Sequence, residues 1–128
     1  MSLRSPMGRV LGLGTAKGGS HHWWMQRVTS VALLLLTLWF AASLLHFATF
    51  DYAVLIEWIG KPVNAVLLSL LIGTSTYHSL LGVQVVIEDY VVGKLLKTVV
   101  MMLLSFVHAA VAALGIFAVL CIAFGVAA

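Results

Sequence analysis

The sequence predicts an all-α integral membrane protein with three transmembrane helices. Of its 128 residues, 62% are hydrophobic and 9% are charged. The apolar residues are gathered in three long runs, and the charged residues lie before and between those runs. A soluble domain of this size would need far more polar surface, so the solvent for these runs is a lipid bilayer.

The three apolar runs predict helices at about residues 29–50, 62–87 and 98–126. Each run is long enough to cross a hydrocarbon core of ~30 Å, which takes ~20 helical residues. Helices are the expected form because a spanning backbone must satisfy its own hydrogen bonds. Residues 1–28 form a polar, glycine-rich leader, and residues 29–128 form a three-helix transmembrane anchor domain.

The distribution of basic residues predicts the orientation of these helices. Basic side chains precede the first run and separate the second from the third, whereas Lys61 alone lies in the other linker; they are Arg4, Arg9, Lys17, Arg27, Lys94 and Lys97. Cytoplasmic segments of membrane proteins are enriched in lysine and arginine. We therefore expect a cytoplasmic N-terminus and leader, and a C-terminus on the periplasmic side.

Charge and cysteine content exclude several classes of function. The net charge of +3 comes from few residues that flank apolar runs, so a nucleic-acid partner is not expected. Cys121 is the single cysteine, which excludes an intrachain disulfide and a cysteine-based zinc or iron–sulfur site.

Histidines within the apolar runs are the clearest candidates for function, because polar side chains inside a membrane are costly. His78 lies near the middle of the second run, and small residues surround it in the sequence: Thr74, Ser75, Ser79 and Gly82. Two interpretations remain open for His78. It is either a ligand with room beside it for a flat macrocycle, or a histidine that forms a hydrogen bond between closely packed helices.

The remaining histidines are less informative. His108 lies eleven residues after Lys97, at a depth similar to that of His78, so an intrachain haem held by both is a further alternative. His46 lies near the outer end of the first run, and we expect His21 and His22 in the leader to be solvated.

Polar residues continue from His78 towards the predicted cytoplasmic interface. Asp89 follows His78 by eleven residues, which on a helix returns almost to the same face after a rise of about 16 Å. Gly82 shares this face, and Tyr90 ends the run. Arg27 is expected at the same level, where it is either a topology charge or a partner for a haem propionate or for Asp89.

These residues together carry a resemblance to a known family. The segment from His78 to Tyr90 resembles the bacterial cytochrome b556 membrane anchors of succinate dehydrogenase (respiratory complex II), and among them the hydrophobic anchor that pairs with a second one. That pattern has a haem histidine, a glycine four residues later and an Asp-Tyr pair after eleven residues. The leader is similar too, in the stretches from Gly8 to Lys17 and from His22 to Thr29.

The resemblance implies a shared haem b, with His78 as the only axial iron ligand from this chain. The second membrane anchor of the complex, also part of cytochrome b556, would supply the other ligand. Tyr90 would donate a hydrogen bond to a quinone carbonyl, with Asp89 beside it, and Arg27 would lie near the haem propionates and the quinone pocket. The resemblance implies no role for His108.

By the same resemblance, the chain is a multi-pass protein of the bacterial inner membrane. Electrons from succinate would reach it through a flavoprotein subunit and an iron–sulfur subunit, and would reduce a quinone, expected to be ubiquinone. The nearest alternative is a fumarate reductase anchor, which runs the same chemistry in reverse. Two other classes are a haem-free membrane scaffold or transporter component, and a self-contained dihaem cytochrome.

Overall fold

A computed structural model describes residues 19–126, and in that part of the chain every regular element is an α-helix. Helix α1 spans Gly19–Leu45, α2 spans Tyr52–Gly60, α3 spans Pro62–Tyr90 and α4 spans Lys94–Ala123. The three long helices are each apolar and long enough to cross a membrane. The predicted fold class, all-α with three spans, is therefore confirmed.

The helix boundaries differ from those expected from hydropathy. Helix α1 begins at Gly19 and ends at Leu45, whereas hydropathy predicts a helix at residues 29–50. Ten residues of the predicted leader therefore belong to the first helix. Hydropathy detects only the segment within hydrocarbon, but helical hydrogen bonding continues into the polar interface. A helix of 27 residues is about 40 Å long, so its ends extend beyond the hydrocarbon core.

Helix α2 occupies the linker between the first two spans and is not predicted by the sequence pattern. Its N-cap position is Asp51, and Lys61 serves both as its C-cap and as the N-cap residue of α3. Pro62 follows at the start of α3, as expected from its missing N–H. Stacking of Trp58 on Trp39, with ring centroids 5.7 Å apart, attaches this short helix to α1.

The three long helices form a row with α3 at the centre. Helix α3 contacts both α1 and α4, whereas α1 and α4 do not contact one another within residues 19–126. The chain alternates in direction, so Gly19, Tyr90 and Lys94 lie at one end, which we call the Tyr90 end. Because the row is open, few of the described side chains are deeply buried; these are Thr29, Ala65, Leu81, Ile87 and Val119.

Helices α3 and α4 approach closely around Gly115. A Cβ atom placed on Gly115 would lie 3.1 Å from Cγ2 of Ile72. Small residues permit such approach between membrane helices, where van der Waals packing rather than the hydrophobic effect stabilises association. At the Tyr90 end, Lys97 Nζ donates a hydrogen bond of 2.7 Å to the carbonyl of Glu88, which ties the start of α4 to the end of α3.

Candidate functional site

The central feature of the candidate site is the imidazole of His78, which lies between α3 and α1. Its Nδ1 atom is 2.8 Å from the hydroxyl oxygen of Thr29. Its Nε2 atom is 3.3 Å from the side-chain nitrogen of Gln26. Thr29 and Gln26 are three residues apart, so both lie on the face of α1 that meets α3. The ring is thus held at both nitrogens by one neighbouring helix.

Gly82 lies on the same face of α3 as His78, one helical turn later. A Cβ atom placed on Gly82 would lie 3.9 Å from the Gln26 side-chain nitrogen. This position agrees with the stripe expected from the sequence, in which His78 and Gly82 share a face. The pair leaves room for the Gln26 side chain next to the ring.

Thr29 is the only polar residue that is deeply buried within residues 19–126, with 6% of its surface exposed. Its hydroxyl lies 2.8 Å from the carbonyl oxygen of Met25 and 3.1 Å from that of Gln26. A buried hydroxyl inside a membrane span is costly unless its hydrogen bonds are satisfied. Here the two carbonyls and the His78 ring satisfy it.

Two buried polar atoms on α1 lack a hydrogen-bond partner among the described residues. They are Oε1 of Gln26 and Nε2 of His22. His22 was expected to be solvated, but this ring nitrogen is buried because α1 already begins at Gly19. His22 precedes Gln26 by one helical turn, so the two belong to the same face. Such orphaned atoms favour a polar group as a further occupant of this region.

The residues around His78 fit a haem better than a bare metal ion. Residues 19–126 contain no group of three or more His, Cys, Asp or Glu side chains that could hold a metal ion. A single imidazole suits haem iron, because the macrocycle supplies the equatorial ligands. The Gln26 amide, 3.3 Å from Nε2, would have to turn aside for Nε2 to coordinate iron. Its long side chain can do so by rotation about its own torsions.

His108 lies at a different helix interface, between α4 and α3. Its Nδ1 donates to the Leu104 carbonyl at 2.8 Å, and its Nε2 is 3.3 Å from the hydroxyl of Ser79. His78 is directed to α1, on the other side of α3. The structure therefore does not bring His78 and His108 together, and the intrachain haem held by both was the wrong alternative.

His46 also stays apart from His78. It lies just beyond α1, where its Nδ1 donates to the Ala42 carbonyl at 2.7 Å, and its side chain is exposed. The self-contained dihaem cytochrome needed intramembrane histidines that face one another. In residues 19–126, His46, His78 and His108 instead bond to three separate sets of neighbours.

Asp89 and Tyr90 close α3 at the Tyr90 end, and Tyr90 has 80% of its surface accessible. Arg27 is exposed as well, and its guanidinium lies over the ring of Trp23, 5.6 Å from the ring centroid. The structure thus places Arg27 against its own helix and not against Asp89. These three side chains present polar groups at the Tyr90 end without a shared hydrogen-bond network among the described residues.

Sequence reasoning missed roles for Thr29 and Gln26, which entered only as part of the resemblance in the leader. A signal was present, because a polar pair three residues apart at the start of an apolar run presents one polar face towards a neighbouring helix. What the sequence did not identify was the neighbour, His78, which is 49 residues from Thr29 along the chain.

These features define a class of protein. Three spanning helices in an open row, with one imidazole held inside the membrane and polar residues at one interface, are typical of a membrane subunit that works beside other chains. The comparison with protein families gives the particular family. The chain belongs to the succinate dehydrogenase/fumarate reductase transmembrane subunit family, whose model matches residues 1–127.

Curated relatives agree with the family. A protein of Rickettsia bellii is 40% identical over 88 residues, which cover 69% of this chain and 70% of that protein. A protein of Rickettsia conorii is 43% identical over 79 residues, covering 61% of this chain and 63% of that protein. One of Paracoccus denitrificans is 28% identical over 109 residues, 85% of this chain and 84% of that protein.

Each of these relatives is described as a succinate dehydrogenase hydrophobic membrane anchor subunit. The resemblance seen in the sequence is therefore confirmed. The chain is a multi-pass membrane anchor of a complex that is an enzyme. No solved structure matches this chain significantly.

Proposed function

We propose that this chain anchors a succinate dehydrogenase in the bacterial inner membrane, supplies one axial ligand of haem b and forms part of the quinone-reduction site. The observation that carries the proposal is the placement of His78. Its ring lies inside the membrane between two helices, with Nδ1 bonded to Thr29 at 2.8 Å and Nε2 directed to a movable side chain. An imidazole held in this way is suited to bind iron through Nε2.

His78 would be the only iron ligand from this chain. The second axial ligand would come from the partner anchor of cytochrome b556, and the open row of helices leaves exposed apolar surface for such a chain to cover. Arg27, near the start of α1, would pair with a haem propionate, because a guanidinium matches carboxylate geometry. When bound, a haem with two axial ligands supplies one-electron exchange near the quinone.

The quinone would bind at the Tyr90 end, next to Tyr90 and Asp89. A phenol keeps its proton at neutral pH, so Tyr90 can donate a hydrogen bond to a quinone carbonyl and stabilise charge that develops on its oxygen. The exposure of Tyr90, 80% of its surface, leaves the hydroxyl accessible to such a ligand. Asp89 would orient Tyr90 or pass a proton through water.

The orientation and the partners follow from the distribution of charge. Basic residues are concentrated at the N-terminal segment and the linker between α3 and α4, so the Tyr90 end would face the cytoplasm. An iron–sulfur subunit and a flavoprotein subunit would dock there and deliver electrons from succinate, with ubiquinone as the acceptor. The names of the curated relatives favour succinate oxidation over fumarate reduction.

The substitution His78→Ala tests the haem assignment. In the purified complex, we expect the b-type optical spectrum to be lost or strongly reduced, because one axial ligand is gone. A matched control is His108→Ala, which removes an imidazole of similar depth from the other side of α3 and is expected to leave the spectrum in place. An unchanged spectrum in the His78→Ala complex would refute the ligand role, and a complex without haem b in its native form would favour the scaffold alternative.

A further inference from the structure

The hydroxyl of Thr29 has three neighbours but only one proton, and this fixes the direction of its hydrogen bonds. Two of the neighbours are the carbonyl oxygens of Met25 and Gln26, at 2.8 and 3.1 Å, and these can only accept. The third is Nδ1 of His78, at 2.8 Å. If the hydroxyl donated to Nδ1, its oxygen lone pairs would face both carbonyl oxygens at close range.

The arrangement without repulsion has the proton of Thr29 on the Met25 carbonyl. The hydroxyl oxygen then accepts a hydrogen bond from Nδ1–H of His78. In this tautomer Nε2 carries the lone pair, which agrees with the side-chain amide of Gln26 as its donor at 3.3 Å. A single side-chain hydroxyl of α1 thereby determines which ring nitrogen of His78 is free to bind a ligand.

We propose that Thr29 is a positioning residue that selects the Nδ1–H tautomer of His78 and increases the electron density at Nε2. The proposal rests on the function proposed above, in which Nε2 binds haem iron. Partners of the second ring nitrogen commonly fix the orientation of a ligating histidine and increase its basicity. The hydroxyl is a better acceptor than usual, because its own proton is already donated to the Met25 carbonyl.

The burial of Thr29 makes this effect stronger than an exposed contact would be. Only 6% of its surface is accessible, so water cannot replace the hydroxyl as the acceptor for Nδ1–H. Inside a membrane, an Nδ1–H without an acceptor is costly, and the ring would turn or change tautomer to avoid it. Loss of the hydroxyl should therefore alter the iron ligand itself and not only the packing of the helices.

The experiment replaces Thr29 in the complete complex by Val, which has nearly the same shape but no hydroxyl. We expect the affinity for haem to fall about 10- to 100-fold, measured as haem occupancy under haem-limited expression. We also expect the haem midpoint potential to rise, because a less basic ligand favours ferric iron less. A twofold to tenfold loss of that preference corresponds to about 18–59 mV.

Two further substitutions separate the hydroxyl from packing. Thr29→Ser keeps the hydroxyl and should restore both haem occupancy and potential. Thr76→Val is the matched control, since Thr76 also bonds back to two carbonyls of its own helix, at 2.8 and 3.0 Å, but has no histidine as a partner among the described residues. This control should leave the potential unchanged.

The results distinguish this proposal from the function on which it rests. A native complex without a His78-dependent b-type spectrum would remove the proposed function. A Thr29→Val complex with normal haem and an unshifted potential would overturn the role of Thr29 alone, as would a Thr29→Ser complex with the same shift as the Val variant. If the Val variant does not assemble, Thr29→Cys replaces the hydroxyl with a weaker acceptor of similar size, and an unshifted potential there would also overturn the proposal.

Discussion

The hydrogen bond between His108 and Ser79 offers a measurable test of how α3 and α4 are held together. The Nε2–Oγ distance is 3.3 Å, at the long end for such bonds. Side-chain hydrogen bonds between membrane helices contribute about 0.6 kcal/mol on average and about 1.7 kcal/mol at most. Because this bond is long, we expect a coupling energy of about 0.6 kcal/mol, which changes the equilibrium constant for unfolding about threefold.

The perturbation is a double-mutant cycle with His108→Ala, Ser79→Ala and the double variant. His108→Ala alone should cost more, about 1 kcal/mol, since it also removes packing. The cycle isolates the bond between the two side chains. The assay is an SDS titration of the purified complex in mixed micelles, followed by helical circular dichroism. The control cycle pairs Ser79→Ala with His46→Ala, because His46 bonds to Ala42 in a different part of the chain.

Two results would refute this account of His108. A coupling energy that does not differ from that of the control cycle would mean that the hydrogen bond contributes nothing between α3 and α4. Loss of the b-type spectrum in a fully assembled His108→Ala complex would mean that His108 contacts the haem. The second result would also restore the intrachain site that the separate directions of His78 and His108 exclude.

Two further predictions concern the quinone site and the helix packing. Tyr90→Phe should lower kcat/KM for quinone about threefold to tenfold, the worth of one hydrogen bond, while succinate oxidation with artificial acceptors is unchanged; an equal loss in both assays would contradict a local role. Gly115→Leu should destabilise the α3–α4 pair by about 1–3 kcal/mol, because a Cβ there already lies 3.1 Å from Ile72 Cγ2. The same unfolding titration measures this, with Gly60→Leu as the control, since a Cβ on Gly60 meets nothing within 4 Å. Partial recovery is expected in the double variant with Ile72→Ala, and no recovery would contradict the steric explanation.

Much of the fold was predictable because a bilayer imposes a simple rule on the sequence. Any long apolar run must form a helix to satisfy its backbone, and this rule located all three spans. The rule does not extend to the ends of helices, where water and headgroups allow either helix or coil. Residues 19–28 and the short helix α2 were therefore missed, although both are regular in the structure.

The candidate site was predictable only in part. His78 stood out because an imidazole in the middle of an apolar run is rare and costly. Its two open interpretations, a metal ligand or an interhelical hydrogen bond, are not exclusive in the structure: one ring nitrogen bonds to Thr29, and the other is held by a side chain that can move. The roles proposed for Tyr90, Asp89 and Arg27 still depend on the resemblance, and the accessible positions of Tyr90 and Arg27 are compatible with those roles.

The sequence by itself determined the number of spans, the depth of each histidine and the family. These depend on hydropathy and spacing along one chain. Only the tertiary structure decided which helices are neighbours, so that His78 is directed to α1 and His108 to α3. The physical reason is that lipid is as apolar as the packed faces of the helices, so the pattern of hydrophobic residues does not reveal which face meets protein. A few contacts of polar and small side chains, such as Thr29 and Gly115, decide the packing instead.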